Sequence, residues 1–533
     1  MTDHSRLSVT DYGAEGDGET ATDAFQDALD ACAAAGGGTV VVPAGDYVVG
    51  TIVLGDDTTL HLAAGATVRA SQDEDDYYAA GSTEPGPDGE LPFLVAQGVE
   101  NVALTGRGTF FGHGTDLMRM DDPIEGHSGQ ESAWPLVSEG KPEARQGDDY
   151  LDRSGDTSDW PVAKPEFRPG SMFHFEDCEN VLVRDLTFED MPSWTLHFDD
   201  CDEVDVLGVD VLNNMLIPNC DGIAVVSSRN VHIADCTVVA CDDTIVPGSH
   251  EGSPVENLTV TNCTLASHAC AIKFGSGTAG DIRNCTFSNI TIYGSNRGLG
   301  IQHRDGGDLE NILFQDITIE TTLPRGPWWG KAEPIYVTSV PRHEDTDLGA
   351  VRNVRFRNVV ADAENGAVIY AHDDADVEGV VLDGVDLTMR DPDAAEEVGG
   401  NLDLQPTSAM PPILEHDVPA VFARGVSDLT VADLNVEWDD DVPEFCTSAV
   451  ACEDVTDVTI DGVVGAPAHG GAFLELCDTK GITVRDSRLD GDATAFLDVS
   501  DTEEERIFAL NDAAAASIAV RGEADFAESG NRT

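Results

Sequence analysis

The chain has 533 residues, with 29 Lys+Arg against 100 Asp+Glu, a formal charge of −71. That balance excludes nucleic acid as a partner, because no basic stripe is present to meet phosphates, and it makes a compact fold in dilute salt repel itself. Disorder is excluded too, since 41% of the residues are hydrophobic and they fall in regular strand patterns.

Residues 7–12 read as a strand, and 13–18 as a Gly-rich loop. Thr22 or Asp23 caps a helix that runs to about residue 35, with Phe25, Ala28, Leu29 and Cys32 on one face. Gly36-Gly37-Gly38 ends it, and strands follow from residue 39 and from residue 59. A stack of parallel strands leaves an open apolar end, which such a helix would cover.

Residues 115–170 are rich in Asp, Glu, Gly and Pro and interrupt the strand pattern. They read as a long insertion whose Trp134, Tyr150 and Trp160 either stack on sugar rings or pin the loop. Short apolar alternations then recur, starting at Val181, Val204, Val231 and Leu258, at spacings of 23, 27 and 27 residues. They continue from Ile312, Val354, Val380, Leu429, Val458 and Ile482, with insertions around 322–350 and 390–425. A period in the twenties with alternating apolar residues predicts an all-β, single-stranded parallel β-helix, a solenoid that lengthens by adding coils. Its expected extent is 1–500, with 1–75 as cap and first turns. Residues 501–533 read as a tail with a short helix.

Cys236, Cys263 and Cys285 each precede Thr at the same point of successive repeats, and Cys178 and Cys201 hold similar places. This spacing predicts a ladder of small buried groups rather than disulfides. No C-x-x-C pair marks a zinc site. The first residues carry no apolar signal core, and no run is long enough to span a membrane. The expectation is a cytoplasmic protein with reduced thiols and no membrane or nucleic-acid partner; the oligomeric state is unspecified.

The chemistry concentrates between residues 219 and 305. In so acidic a chain, Asp221, Asp242 and Asp243 read first as solvated turn acids. Their surroundings point elsewhere, since apolar Ile223-Ala224-Val225-Val226 follows Asp221 and Ile245-Val246 follows Asp243. Asp221 and Asp242 are 21 residues apart, close to one coil, so stacking sets them side by side. Neighbouring carboxylates repel, which lets one keep its proton as a general acid. An acid and a base on one wall are what glycosidic-bond hydrolysis needs.

The stretch VTDYGAEGDGETATDAFQDALDACAAAGGGTVVVPAGDYVVG at 9–50 resembles the N-terminal signature of the pectate-lyase-like right-handed β-helix superfamily, and GVENVALTGRGTFFGHG at 98–114 resembles a turn of glycoside hydrolase family 28. Asn219-Cys220-Asp221, then Asp242-Asp243, then His268 follow the order of that family's Asn-Thr-Asp, Gly-Asp-Asp and Gly-His-Gly motifs. The resemblance covers roughly 7–490. It implies a right-handed β-helix without metal or cofactor, in which Asp242 is the general acid, Asp221 and Asp243 activate water with inversion, and Asn219 and His268 orient and tune the site. It also implies an acidic, galacturonic-acid-containing oligosaccharide or polysaccharide as substrate; with no apolar signal core at the first residues, short imported chains and exo action are expected.

The chain departs from the pattern at Cys220, Cys241, Ser267 and Ala269, and the family's Arg-Ile-Lys reads Gly300-Ile301-Gln302. Lys273, Gln302, His303 and Arg304 are the candidate replacements for its substrate-binding cations; a salt bridge from Arg304 to Asp305 or Asp308 is an equal alternative. Lysine survives only at Lys141, Lys164, Lys273, Lys331 and Lys480, which favours Lys273 for a specific task. Trp328 and Trp329, with Lys331, are candidates for sugar contact, although paired tryptophans usually pack. Rival readings are a β-elimination lyase or epimerase whose aspartates hold Ca²⁺, and a non-catalytic carbohydrate-binding β-helix protein.

Screening of 71 net negative charges requires a short Debye length, about 3 Å at 1 M salt. The melting midpoint is expected to rise through a KCl series from dilute to molar. A flat series would refute a halophilic protein.

Overall fold

The computed structural model describes residues 6–80, 91–123, 162–163, 167–324, 328, 330–392, 400–404, 407, 409–411, 413–501, 503–522 and 526–533. The chain gathers into two compact units, Met1–Pro135 with Thr157–His268, and Leu136–Asp156 with Ala269–Thr533. Both are built from parallel strands stacked coil upon coil, as the repeat predicts. No helix among the described residues is long and apolar enough to cross a membrane.

In the first unit each regular coil contributes three short strands. One series runs through Phe173–Glu176, Leu196–Asp199, Ile223–Val226 and Ile245–Gly248, in register Phe173↔Leu196↔Ile223↔Ile245. A second aligns Val102, Val181, Val204, Val231 and Leu258 into a buried column. These are the apolar alternations of the sequence: β-branched residues at every second position fill the core, and the residues between them face out.

Between the first two strands of a coil the chain turns through a residue in the left-handed region, such as Asn180, Asn230 and Asn257 at φ 58°, 54° and 59°. Asn and Asp tolerate this conformation better than other non-glycine residues. The corner amides link the coils: Asn180 Nδ2 donates to Asn101 Oδ1 at 2.7 Å, and Asn257 Nδ2 to Asn230 Oδ1 at 3.0 Å. The cysteines also stack as expected. The Cys178 and Cys201 thiols reach back to the carbonyls of Ala96 and Phe175, each at 3.3 Å, and all twelve cysteines are free.

The N-terminal helix, Thr22–Ala34, buries Ala24, Phe25, Ala28, Leu29 and Cys32. Neither Thr22 nor Asp23 is its N-cap. Ala21 holds that place with no side-chain cap bond, because the Thr22 hydroxyl instead accepts from Gly50 N at 2.9 Å.

The second unit merges two strands per coil into long bent ones, including Ile282–Ser295, Leu309–Thr321 and Ala350–Ala363. Phe287, Phe314 and Phe356 stack face to face inside it, with ring centres 5.0 Å apart at each step. Corner amides recur here, with Asn353 Nδ2 donating to Asn311 Oδ1 at 2.6 Å. A second corner, just after the first strand of a coil, is held by Asp177 and Asp200 in the first unit at φ 50° and 49°, and by Asp454, Asp478 and Asp501 in the second at φ 51°, 47° and 49° on strands paired Glu453↔Cys477↔Ser500. The insertion around 390–425 contains an antiparallel pair, Asn401–Asp403 with Ile413–Glu415.

The expected helical tail is corrected. Glu503–Ala509, Ala516–Arg521 and Ala527–Ser529 are strands that pair onto preceding coils. The alanine run 513–516 had suggested a helix, but an exposed stack end offers ladder hydrogen bonds that override this weak propensity.

Phe314→Ala removes the middle ring of the stack and should cost about 3–5 kcal/mol, read by chemical denaturation. A loss below about 1 kcal/mol would mean that the coil collapses around the gap.

Candidate active site

Asp221 lies two residues before Ile223–Val226, and Asp242 and Asp243 lie just before Ile245–Gly248. Because these strands pair in register, their acid-bearing bends stack. Thr195 N donates to Asp221 O and Gly222 N to Asp243 O, both at 2.9 Å. Gly222 is required at this point, since a Cβ would stand 2.3 Å from Val238 Cγ1 and 2.5 Å from Thr244 O.

The stacking brings the three predicted acids together. Asp221, Asp242 and Asp243 are 5%, 7% and 2% exposed, and one oxygen of each lies within 4.8 Å of the others. Asn219, held in the left-handed region at φ 57°, points Nδ2 at Asp242 Oδ2, 3.5 Å away. The Ser267 hydroxyl donates to the Asp242 carbonyl at 2.6 Å, which sets half-buried His268 one residue from that anchor.

Cys220 and Cys241 are fully buried beside the acids. Burial, then the neighbouring Cys220 thiol, then the charges of Asp242 and Asp221 hold the Cys241 thiol well above its ordinary value. It stays protonated, so the substitution adds no further charge to a crowded anionic site.

Three residues of this frame escaped the sequence reading. Buried Arg168 donates to the carbonyls of Pro192 at 2.5 Å and Pro218 at 2.9 Å, tying down the loop that delivers Asn219. Asn213 Nδ2 donates to Thr195 Oγ1 at 2.8 Å and Cys220 O at 3.3 Å. Trp194 packs on Ala224, Val226 and Val246, the outward side chains of the strands that follow the acids. No local motif marks any of them; the Arg168 and Asn213 bonds form only once distant loops meet.

The remaining candidates lie in the second unit. Lys273, half-buried, stands in register with Gly300, where the family pattern has Arg. Gly300 and Gln302 alternate onto one face of their strand. Arg304 is buried, and burial together with the charge of Arg342 brings its pKa down to about 10, against the pull of Asp305. Asp305 is gripped by Arg342, whose Nε and Nη2 donate to its two oxygens at 2.8 Å each. Burial disfavours the charged carboxylate, but Arg342 more than offsets this and holds Asp305 below its ordinary pKa. Asp308 in turn lies 3.8 Å from Arg352. The carboxylates expected to pair with Arg304 are thus engaged by other arginines.

Three expectations are corrected. His303 is fully buried, with Nδ1 2.8 Å from Ser339 Oγ on the next coil and Nε2 2.9 Å from Gly307 O; both nitrogens serve the stack. Trp328 is also buried, so its ring packs rather than receiving a sugar. Lys331 is buried with Nζ 2.5 Å from Asn401 Oδ1 and 3.1 Å from Asn401 O, and burial lowers its pKa to about 8. It helps dock the insertion strands, alongside Arg297, which bridges Glu333 and Asp403 at 2.9 and 3.2 Å. Trp329, Trp134, Tyr150 and Trp160 lie outside the described residues.

Lys331→Met should lower the melting midpoint, because Asn401 would lose its buried donor, while KM stays unchanged. A raised KM at unchanged midpoint would return Lys331 to substrate binding.

Comparison with known proteins agrees with this geometry. The family model for glycosyl hydrolases family 28 matches residues 139–398, and that for rhamnogalacturonase A/epimerase, pectate lyase-like, matches 6–71. A probable polygalacturonase of Vitis vinifera is 28% identical over 242 residues, 45% of this chain and 43% of its own length. An exo-poly-alpha-D-galacturonosidase of Dickeya chrysanthemi is 44% identical over 72 residues, 13% of this chain and 12% of its own length. The chain thus spans less than half the length of the curated relatives it matches. In fold it is similar to a family 28 exopolygalacturonase of Yersinia enterocolitica, with TM-score 0.60, 20% identity, and 86% of this chain and 78% of that one covered. For an exopolygalacturonase of Thermotoga maritima the values are 0.53, 20%, 86% and 92%. The fold is that of the right-handed parallel β-helix, and the sequence match supports glycoside hydrolase family 28, polygalacturonase-like, as the family of the segment that carries the acids.

Proposed function

We propose that the chain is a glycoside hydrolase that cleaves pectin-like, galacturonic-acid-containing chains by acid/base catalysis. One observation carries this reading: three buried carboxylates lie within 4.8 Å of one another inside the segment that the family 28 model matches. Asp242 protonates the leaving glycosidic oxygen, and Asp221 and Asp243 hold and deprotonate the attacking water. Asn219 orients Asp242, and His268, next to the Ser267 anchor, tunes its proton.

The anomeric outcome is a separate question. Inverting pairs usually stand about 6.5–9.5 Å apart to admit a water, and retaining pairs about 5–5.5 Å. The nearest oxygens here are closer than either range, so an attacking water has to sit beside the cluster rather than within it. Inversion follows from the family resemblance, and direct attack by Asp221 or Asp243 is the alternative that the separation favours.

A substrate carboxylate entering so acidic a protein needs a cation. Lys273, in register with the position where the family carries Arg, is our first choice. Arg304, two residues beyond Gln302 in the stretch where the family carries its cations, is the second. Exo action is extended to this chain from the names of its Dickeya and Yersinia relatives. A reducing compartment is supported by free cysteines, all buried but Cys477.

The test is a panel of pectic oligosaccharides in molar KCl, with the first-formed anomer read by NMR. Hydrolysis with inversion is expected. An unsaturated, ultraviolet-absorbing product that requires calcium would replace hydrolysis with elimination. Asp242→Asn should lower turnover by about 10²–10⁴ with the fold intact, and near-normal turnover would remove Asp242 as the acid. Lys273→Met should lower kcat/KM by about 1.5–3 kcal/mol, the worth of a charge-assisted hydrogen bond. If only the melting midpoint falls, the lysine serves the coil and not the substrate.

A further inference from the structure

We propose that His174, His197 and Asp199, joined by His250, form a binding site for one divalent transition-metal ion of the zinc class, in the first unit and apart from the three catalytic candidates. His174 and His197 occupy the same register position on neighbouring parallel strands, and their rings lie parallel with centres 4.6 Å apart. They are 9% and 7% exposed, and the Nε2 of each has no hydrogen-bond partner among the described residues.

Burying a polar nitrogen without a partner costs its lost hydration, and here two stand side by side. Packing alone does not call for them. The adjacent column, one residue on and so on the opposite face of the same strands, is Phe175 stacked on Phe198, and the next two coils carry Ala224 and Val246 in the histidine column itself. A ligand that takes both nitrogens accounts for the pair.

The remaining donors are in place. Asp199 follows His197 by two residues, hence on the same sheet face, and one of its oxygens lies within 4.8 Å of a nitrogen from each histidine. His250 approaches from the turn after Ile245–Gly248, with Nε2 3.3 Å from Asp199 Oδ1. The Nδ1 of His197 pairs with Ser171 Oγ at 3.2 Å, the second hydrogen bond that usually fixes a metal-ligating imidazole.

Three imidazoles and one carboxylate suit zinc, copper or nickel and not calcium or magnesium, which take oxygen. Metal–nitrogen bonds of about 2.0–2.1 Å require the donors to close by roughly an ångström and one ring to swing out of the stack. The Trp194 ring stands edge-on to His197, centres 5.1 Å apart, so an ion would fix the ring against which this tryptophan packs, one coil before Asp221.

The full chain, stripped with EDTA and titrated calorimetrically with zinc chloride in molar KCl, is expected to take up one ion. Co²⁺ should then give visible absorption bands of low coordination number. His197→Phe fills the column as Phe198 fills its own and should abolish uptake. His250→Ala, at a side chain 58% exposed, should weaken binding about 10–100-fold and alter the Co²⁺ bands without unfolding risk. Asp242→Asn should leave uptake unchanged. The proposal is overturned by no stoichiometric uptake in the wild type, by uptake lost in Asp242→Asn and kept in His197→Phe, or by a His250→Ala variant that binds like the wild type.

Discussion

Every feature described here depends on parallel register between coils. A parallel strand must meet the same position one coil on, so each coil has to turn its corners at the same places. The left-handed residue before each apolar alternation makes that possible. Asn180, Asn230 and Asn257 supply it, and their amides satisfy side-chain donors that a sharp turn would otherwise leave to water. Once register is kept, residues separated by a full coil become neighbours. Asp221 meets Asp243 and His174 meets His197 for this one reason.

That dependence explains what the sequence could disclose. Alternating Val and Ile after an Asn or Asp announced the strands, and their spacing announced the coils. Asp221, Asp242 and Asp243 were legible because their separation matches one repeat and their flanks are apolar. His303 was misread because its partners, Ser339 of the next coil and Gly307 of the following turn, are not marked by any local motif, and Lys331 was misread for another reason. Polar and aromatic residues in an insertion look like surface, but the insertion strands Asn401–Asp403 and Ile413–Glu415 bring buried partners from seventy residues away, as for Lys331 with Asn401. Arg168 and Asn213 are the reverse case, since their value lies in carbonyls of other loops, which no spacing encodes.

The acid cluster and its surroundings follow one electrostatic rule: charge is spent only where it acts. Next to three carboxylates the chain places the Cys241 thiol, which stays neutral, and it closes the stack with Gly222, for which no larger side chain has room. Positive charge is confined to few places. The buried Arg297, Glu333 and Asp403 network, with Lys331 beside it, answers its own charges internally.

The corners carry one further consequence. An amide can both donate and accept, so an Asn corner links to the coil behind it whether that corner is Asn or Asp. A carboxylate only accepts. Where Asp454, Asp478 and Asp501 succeed one another, the ridge has no donor of its own and sets like charges about 5 Å apart, the spacing of adjacent strands. Backbone bonds, Asp454 N to Cys477 O at 3.1 Å and Asp478 N to Ser500 O at 3.0 Å, hold the coils together there against that repulsion, and solvent cations screen it. Repulsion along such a ridge grows as salt is diluted, so within a stack the junctions between successive aspartate corners are where loosening is expected to begin, as in any one-dimensional array that fails first at its weakest junctions.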